Sequence, residues 1–310
     1  MDTSPHKSGF VTVNGIQLHY LDWGGNGPDL LFLPGLGCNA HIFDRFAPRF
    51  TDRFRVLALT RRGHGESDYP ETGYDIDTLT EDIRAFLDCL GIDRVILVGH
   101  SLAGIELSHF AAVHPERVEK LIYLDAAYYY QLPEYKTVRE QNPLRGIKIP
   151  GEGDDYYRME DLSAHIQFAY PSLGSIWSEL FDEHLRHEVK FSPEGKLVDK
   201  MTDGISQAIF ETMLNYERED AKIRVPTLNI YTLRDYSYFI SRDYMTEEQQ
   251  ARMKDFFDTV TQPWNLKSIA LFKKNVPHAR VAEFPGHHYC FIPQPEQERT
   301  YEEMRAFLEA

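Results

Sequence analysis

The sequence predicts an α/β protein: a mostly parallel sheet with helices on both faces and a helical cap inserted near its middle. Three observations carry this reading. Short runs that are apolar throughout alternate with helical periodicity up to residue 126, an aromatic and helical stretch then intervenes, and strand-like runs return after residue 225. A run with no polar face needs cover on both sides, which a parallel sheet between two helix layers supplies.

The elements follow in order. Phe10 to Val13 and Ile16 to Trp23 read as a hairpin about Asn14-Gly15, a strong turn signal. Leu30 to Leu33 is a short apolar run ended by Pro34-Gly35, and Val56 to Leu59 is another, ended by Thr60-Arg61-Arg62-Gly63. Asp77 to Leu90 has helical periodicity through Leu79, Ile83, Phe86, Leu87 and Leu90, with Gly91 as its stop. Val95 to Val98 leads through Gly99-His100-Ser101 into a helix from Leu102 to about Val113, and Leu121 to Leu124 is a fourth apolar run. Between Ala127 and Lys222 the pattern turns helical and aromatic, with Tyr128, Tyr129, Tyr130, Trp177 and Phe181 among its rings. Pro226 to Tyr231 and Ala279 to Phe284 restore strands, separated by a smaller insertion at about Tyr236 to Asn275, and Gln294 to Leu308 is a closing helix. The expected division is a core of residues 1–126 and 223–310 and a cap of residues 127–222, placed over the strand ends where open α/β sheets hold ligands.

Bulk properties narrow the class. The 310 residues are 42% hydrophobic and 26% charged, which is ordinary globular composition. With 33 basic and 48 acidic side chains the net charge is −15, and that field would repel nucleic acid and anionic membrane surfaces. The three cysteines, Cys38, Cys89 and Cys290, are too scattered for a disulfide framework. The stretch Met1 to Gly9 is polar, without the apolar core of a secretory leader, and no run is long enough to span a bilayer. The expectation is a cytoplasmic protein whose partner is a small molecule.

Chemistry concentrates in Gly99-His100-Ser101-Leu102-Ala103-Gly104, which follows a strand and opens a helix. In that context the serine stands exposed on a sharp turn, and the helix N-terminus behind it favours negative charge. A bare pattern of this kind arises by chance in about one chain in five of this length, so it persuades only in company.

The company is Leu33-Pro34-Gly35-Leu36-Gly37, then Arg62-Gly63-His64-Gly65-Glu66-Ser67-Asp68, then the serine turn. In that order and spacing the chain resembles the α/β-hydrolase superfamily over nearly all of residues 10–126, and again at about 225–235 and 279–309. Thr60 stands where that family usually has aspartate, and Ala103 where it usually has glycine. The resemblance implies an oxyanion hole formed by the backbone N–H groups of Leu36 and Leu102, with Ser101 as nucleophile. It also implies a histidine after the last strand, and Phe284-Pro285-Gly286-His287-His288-Tyr289 offers two. The family pattern, an aromatic after the histidine and a proline seven positions on, fits His288 through Tyr289 and Pro295, leaving His287 as a spacer. The third member is a carboxylate at a strand end. Asp125 ends the sixth strand and Asp235 follows the seventh, and the choice stays open with a lean to Asp125.

Other signals carry less. Gly24-Gly25-Asn26-Gly27 is a turn rather than a phosphate cradle. The His287-His288-Tyr289-Cys290 grouping lacks a second cluster to complete a metal site, and His184 and His187 read as solvated surface on a cap helix. No metal or organic cofactor is implied. A serine nucleophile points to acyl transfer rather than to the dehalogenase or epoxide chemistry of relatives with aspartate at that turn. The expected function is hydrolysis of carboxylic esters, lactones included, with an apolar or aromatic group under the cap. An amidase, a C–C bond hydrolase, a perhydrolase or a non-catalytic ligand receptor on the same fold are the rivals.

Overall fold

The structure is a computed structural model and describes residues 6–310. The leader reading of Met1 to Gly9 therefore falls, for Met1 to Pro5, outside the described residues. Strands β1 (Lys7–Val13), β2 (Ile16–Gly24), β3 (Asp29–Leu33) and β4 (Arg55–Leu59) precede helix α1 (Ile76–Cys89). Then come β5 (Val95–His100), α2 (Ala103–Val113) and β6 (Val118–Leu124). The next stretch holds α3 (Pro133–Glu140), α4 (Met159–Ala169), α5 (Pro171–Gly174), α6 (Glu179–Glu188), the short strands β7 (Val189–Phe191) and β8 (Leu197–Asp199), and α7 (Asp203–Asn215). Strand β9 (Thr227–Thr232), helices α8 (Glu247–Phe256) and α9 (Gln262–Asn275), strand β10 (Arg280–Phe284) and helix α10 (Glu296–Leu308) complete the chain.

Eight strands form one sheet in the order β1-β2-β4-β3-β5-β6-β9-β10. The β1–β2 and β2–β4 pairs are antiparallel and every other pair is parallel. The opening hairpin turns at Asn14 and Gly15, both at positive φ (51° and 79°), which is the handedness that a two-residue hairpin turn requires.

The central strands are buried on both faces, which is why their sequences are apolar throughout. Leu31 and Leu33 of β3, Leu97 of β5 and Leu121 and Tyr123 of β6 enter one core with Phe86 and Leu87 of α1, Leu107 and Phe110 of α2 and Phe272 of α9. The alternate residues, Phe32, Val98, Ile122 and Leu124, enter the other with Phe43, Phe46, Phe50, Phe291 and Phe307. Burying a large apolar side chain contributes roughly 1.5–3 kcal/mol, so these two layers dominate the fold. Among the described residues no helix is long and apolar enough to cross a membrane.

The stretch between β6 and β9 is helical apart from the β7–β8 hairpin, which the periodicity did not show. Its two ends meet beneath α2. Tyr129, at the entry, donates its hydroxyl to Asp220 at the exit (2.5 Å), and Asp220 also takes Ser108 Oγ (2.7 Å) and the buried Arg218 guanidinium (2.8 Å). Ala127, Tyr128 and Tyr129 pack into the sheet's own core.

Candidate active site

Strand β5 ends at His100 and helix α2 begins at Ala103, so Ser101 must turn the chain. It does so at φ +54°, a left-handed conformation that a residue with a Cβ adopts at a cost of about 1–2 kcal/mol. The turn is held by Ser101 N–H bonding to Leu124 O (3.3 Å) and by Gly104 N–H bonding to Ser101 O (3.0 Å). Two glycines permit the approach. A Cβ on Gly35 would lie 2.9 Å from Ser101 Cβ, and one on Gly104 would lie 1.9 Å from Ala126 O.

Asp125 follows β6 in the same strained conformation, at φ +47°. It is fully buried, and both oxygens are used. Oδ2 accepts from His288 Nδ1 (2.6 Å), while Oδ1 accepts from Tyr128 Oη (2.7 Å) and the Thr232 N–H (3.1 Å). Arg234 Nη2 lies 3.4 Å from Oδ2. Burial alone would raise this carboxyl, but Arg234, His288 and Tyr128 together hold it below the ordinary carboxylate range. It is therefore ionised wherever the protein is folded near neutrality.

His288 leaves the loop after β10 and lays its ring against His100, the residue before Ser101, with centroids 4.6 Å apart. His100 Nε2 donates to the His288 carbonyl oxygen (3.1 Å), fixing that loop's backbone as well. Burial lowers the His288 imidazole below its ordinary value, and the bond to Asp125 opposes that only in part. With Nδ1 donating to a carboxylate, the proton of neutral His288 is assigned to Nδ1, which leaves Nε2 as the basic nitrogen. The structure thus joins His288 to Asp125 directly. It sets them beside Ser101 without a Ser101–His288 hydrogen bond among the described residues, and such bonds are commonly long until substrate arrives.

The remaining sequence candidates separate cleanly. Asp235 is exposed and caps the turn after β9, accepting the Ser237 N–H (2.7 Å) rather than an imidazole. His287 makes no hydrogen bond to Asp125 among the described residues. Its Nε2 reaches Ser172 O (3.0 Å) in α5, and its Nδ1 accepts the Tyr289 N–H (3.0 Å). Leu36 and Leu102 flank the serine, and neither amide donates a hydrogen bond among the described residues. Leu102 begins the first turn of α2, where N–H groups lack intrahelical partners.

One reading is corrected. His184 and His187 are not a solvated surface: His184 is buried, and His187 stacks on His41 of the core at 4.0 Å and bonds Glu66 (3.1 Å). The error lay in treating the outer face of α6 as free, when that helix packs on the loop after β3. Tyr128 and Arg234, which grip Asp125, were also missed. Neither carries a local motif, and only the fold brings them to the carboxylate.

The sequence profile of the family described as alpha/beta hydrolase fold matches residues 28–169. The match spans just under half of the chain, and the fold is the α/β-hydrolase fold. A curated relative is the 2-(acetamidomethylene)succinate hydrolase of Mesorhizobium japonicum, 37% identical over 107 residues, which are 34% of this chain and 38% of the relative. That match spans well under two thirds of the relative's length. Among solved structures, E-2-(acetamidomethylene)succinate hydrolase superposes with a TM-score of 0.73 at 21% identity, covering 98% of this chain and 100% of the other. The enol-lactonase from Burkholderia xenovorans gives 0.63 at 21% identity, covering 97% and 100%. At such identity the likeness establishes the fold.

A cluster able to hold a metal ion lies elsewhere in this hydrolase fold. His6, His41 and Asp44 bring ligand-type atoms within 4.8 Å of one another, and Asp44 already accepts from His6 Nδ1 (2.7 Å) and His41 Nδ1 (3.0 Å). Among the described residues, His287, His288 and Cys290 do not bring their ligand atoms into such a cluster.

Proposed function

We propose that this chain is a serine hydrolase of carboxylic esters, lactones among them, working through Ser101, His288 and Asp125 and an acyl-enzyme intermediate. The observation that carries the proposal is the 2.6 Å bond from His288 Nδ1 to a buried, ionised Asp125, made beside a serine held in a left-handed turn.

The chemistry follows from those positions. His288 Nε2 takes the Ser101 proton as Oγ attacks the carbonyl carbon, and Asp125 stabilises the imidazolium that forms. The carbonyl oxygen becomes an anion, for which the unengaged Leu36 and Leu102 amides are the donors. Collapse expels the alcohol, which receives the proton back from His288. Water activated by the same nitrogen then attacks the acyl carbon and frees Ser101. Every step is closed by these groups, and no metal or organic cofactor enters it.

The apolar preference has support from packing. Leu36 and Leu102 share a cluster with Tyr74 and Ile105 and with Ile205, Ile209 and Met213 of α7, so the side of the site beneath α7 is hydrocarbon. A substrate seated there keeps its apolar portion out of water. The proposed cap, residues 127–222, reaches the loop that carries His288, with Trp177 stacked on Phe181 and Phe181 against Tyr289.

The test is labelling with a fluorophosphonate, the adduct mapped by mass spectrometry, together with turnover of p-nitrophenyl esters of graded chain length. Modification at Ser101 with turnover of short or aromatic esters is the expected result. Absence of label at Ser101 ends the mechanism. Amide and C–C bond substrates belong in the same panel because they would run through the same three residues; turnover confined to them would replace the ester with that bond.

A further inference from the structure

Two amides form the proposed oxyanion hole, and they come from separate pieces of chain: Leu36 from the loop after β3, Leu102 from the turn into α2. Something must set their spacing. Arg61, which no sequence motif claimed, lies between them.

Its guanidinium is almost wholly buried, as is its partner Glu106, with 6% and 2% of the side chains exposed. Arg61 Nε donates to Glu106 Oε1 (2.5 Å) and Nη2 to Glu106 Oε2, a bidentate grip on the first turn of α2. The same fork turns its other edge to the β3 loop. Nη2 donates to Pro34 O (2.9 Å), and Nη1 makes a longer approach to Gly35 O (3.5 Å). Gly35 C=O and Leu36 N–H belong to one planar peptide, so a carbonyl held in one direction points the amide in the opposite one. The Cys38 N–H, bonded to that same oxygen (3.3 Å), is the second hold on the plane.

We infer that Arg61 and Glu106 are a positioning pair, a strap that fixes the Leu36 amide relative to the Leu102 amide and so sets the oxyanion hole. The inference rests on the catalytic reading of Ser101 above. Stability alone is a poor reason for the pair. Removing two charges from water costs about as much as their attraction returns, and apolar replacements of buried pairs are often neutral or stabilising. What hydrocarbon cannot supply is a planar fork that holds two carbonyls and a carboxylate at once.

The experiment compares wild type with the double variant Arg61→Met/Glu106→Leu, which replaces the pair with side chains of similar bulk. The expected result is a folded protein with kcat for a p-nitrophenyl ester reduced about 10²-fold and KM changed little, because the lost contact acts on the transition state. A trifluoromethyl ketone, whose hydrate-like adduct needs the oxyanion hole, should lose affinity by a similar factor. Hydrogen exchange at the Cys38 N–H, which is bonded to Gly35 O, should quicken. Wild-type kcat in the folded double variant overturns the proposal. Should that variant fail to fold, Arg61→Lys keeps the charge but cannot hold Glu106 and Pro34 O together, and wild-type kcat there overturns it equally. If wild-type Ser101 proves unreactive to fluorophosphonate, the catalytic reading falls by itself. The strap is then judged on exchange at the Cys38 N–H, which is bonded to Gly35 O and does not depend on turnover, and unchanged exchange in both variants sinks it.

Discussion

His288 Nδ1 lies 2.6 Å from Asp125 Oδ2, across 163 residues of sequence, while the carboxylate of Asp235 is occupied 2.7 Å from the Ser237 amide. The two acids therefore predict different losses. Asp125→Asn should lower kcat on the order of 10⁴-fold, since the amide no longer selects the Nδ1–H tautomer or stabilises the imidazolium. Asp235→Asn should leave kcat within about two-fold, because asparagine can still accept the Ser237 N–H. Steady-state kinetics of both on one ester decides, and a large loss at Asp235 with a small one at Asp125 would reverse the assignment.

The acid limb of the pH profile follows from the direction of the His288 shift. A general base works in its neutral form, and burial lowers this imidazole below its ordinary 6.5 despite the pull of Asp125. The neutral form is thus present at pH 7 and is lost only as pH falls below 6.5. We expect kcat/KM to be flat through neutrality and to fall on the acid side with an apparent pKa under 6.5. A limb centred above 7 would mean that the Asp125 bond outweighs burial.

Gly35 and Gly104 separate activity from stability. Alanine at Gly35 would press on Ser101 Cβ at 2.9 Å and on His100 Nδ1 at 3.1 Å, both side-chain atoms of the serine turn. Gly35→Ala should therefore fold yet lose about 10²-fold in kcat through misplacement of the nucleophile. Alanine at Gly104 would meet Ala126 O at 1.9 Å, a backbone atom that cannot swing aside. Gly104→Ala should push α2 off the β6 loop and destabilise by about 3 kcal/mol, visible as a Tm lowered by roughly 5–10 °C. Equal effects of the two on Tm would refute the distinction.

The sheet was legible in the sequence because its central strands are buried on both faces. Leu30 to Leu33 and Val95 to Val98 carry no polar position, and their boundaries shifted by no more than two residues. The serine turn was legible because small residues at Gly99 and Gly104 mark a close approach wherever they occur. The insertion was legible only as aromatic helix, since its contacts are long-range. His184 lies under Asn39, whose Nδ2 donates to the His184 carbonyl oxygen (3.1 Å) across 145 residues. Arg234 and Tyr128 could not be assigned for the same reason: their role is defined by Asp125, and nothing near them in sequence names it. Asp125 and Asp235 both follow strands, so the local pattern offered only a lean to Asp125, and the bond from His288 is what separates them.

Glu188, at the end of α6, gives a prediction about stability rather than rate. It is half-buried against the core, accepting Asn39 Nδ2 (2.7 Å) and more weakly the Gly65 N–H (3.3 Å). Burial pushes its carboxyl up to about 7, because these two donors and Lys200 only partly offset the lost water. Folded and unfolded chains both carry it protonated at pH 4, so it imposes no penalty there. As pH rises past the unfolded value near 4.5, the unfolded chain ionises while the folded one resists, and stability is lost until pH reaches the folded value. Above that the penalty levels off at about 3 kcal/mol. Glu188→Gln keeps an acceptor for Asn39 and removes the titration, so it should match wild type in Tm at pH 4 and exceed it by several degrees at pH 8, the gap opening between about pH 4.5 and 7. A thermal-melt series on both proteins checks this. A gap that is constant with pH would show that the carboxyl at this junction ionises as freely as one in water.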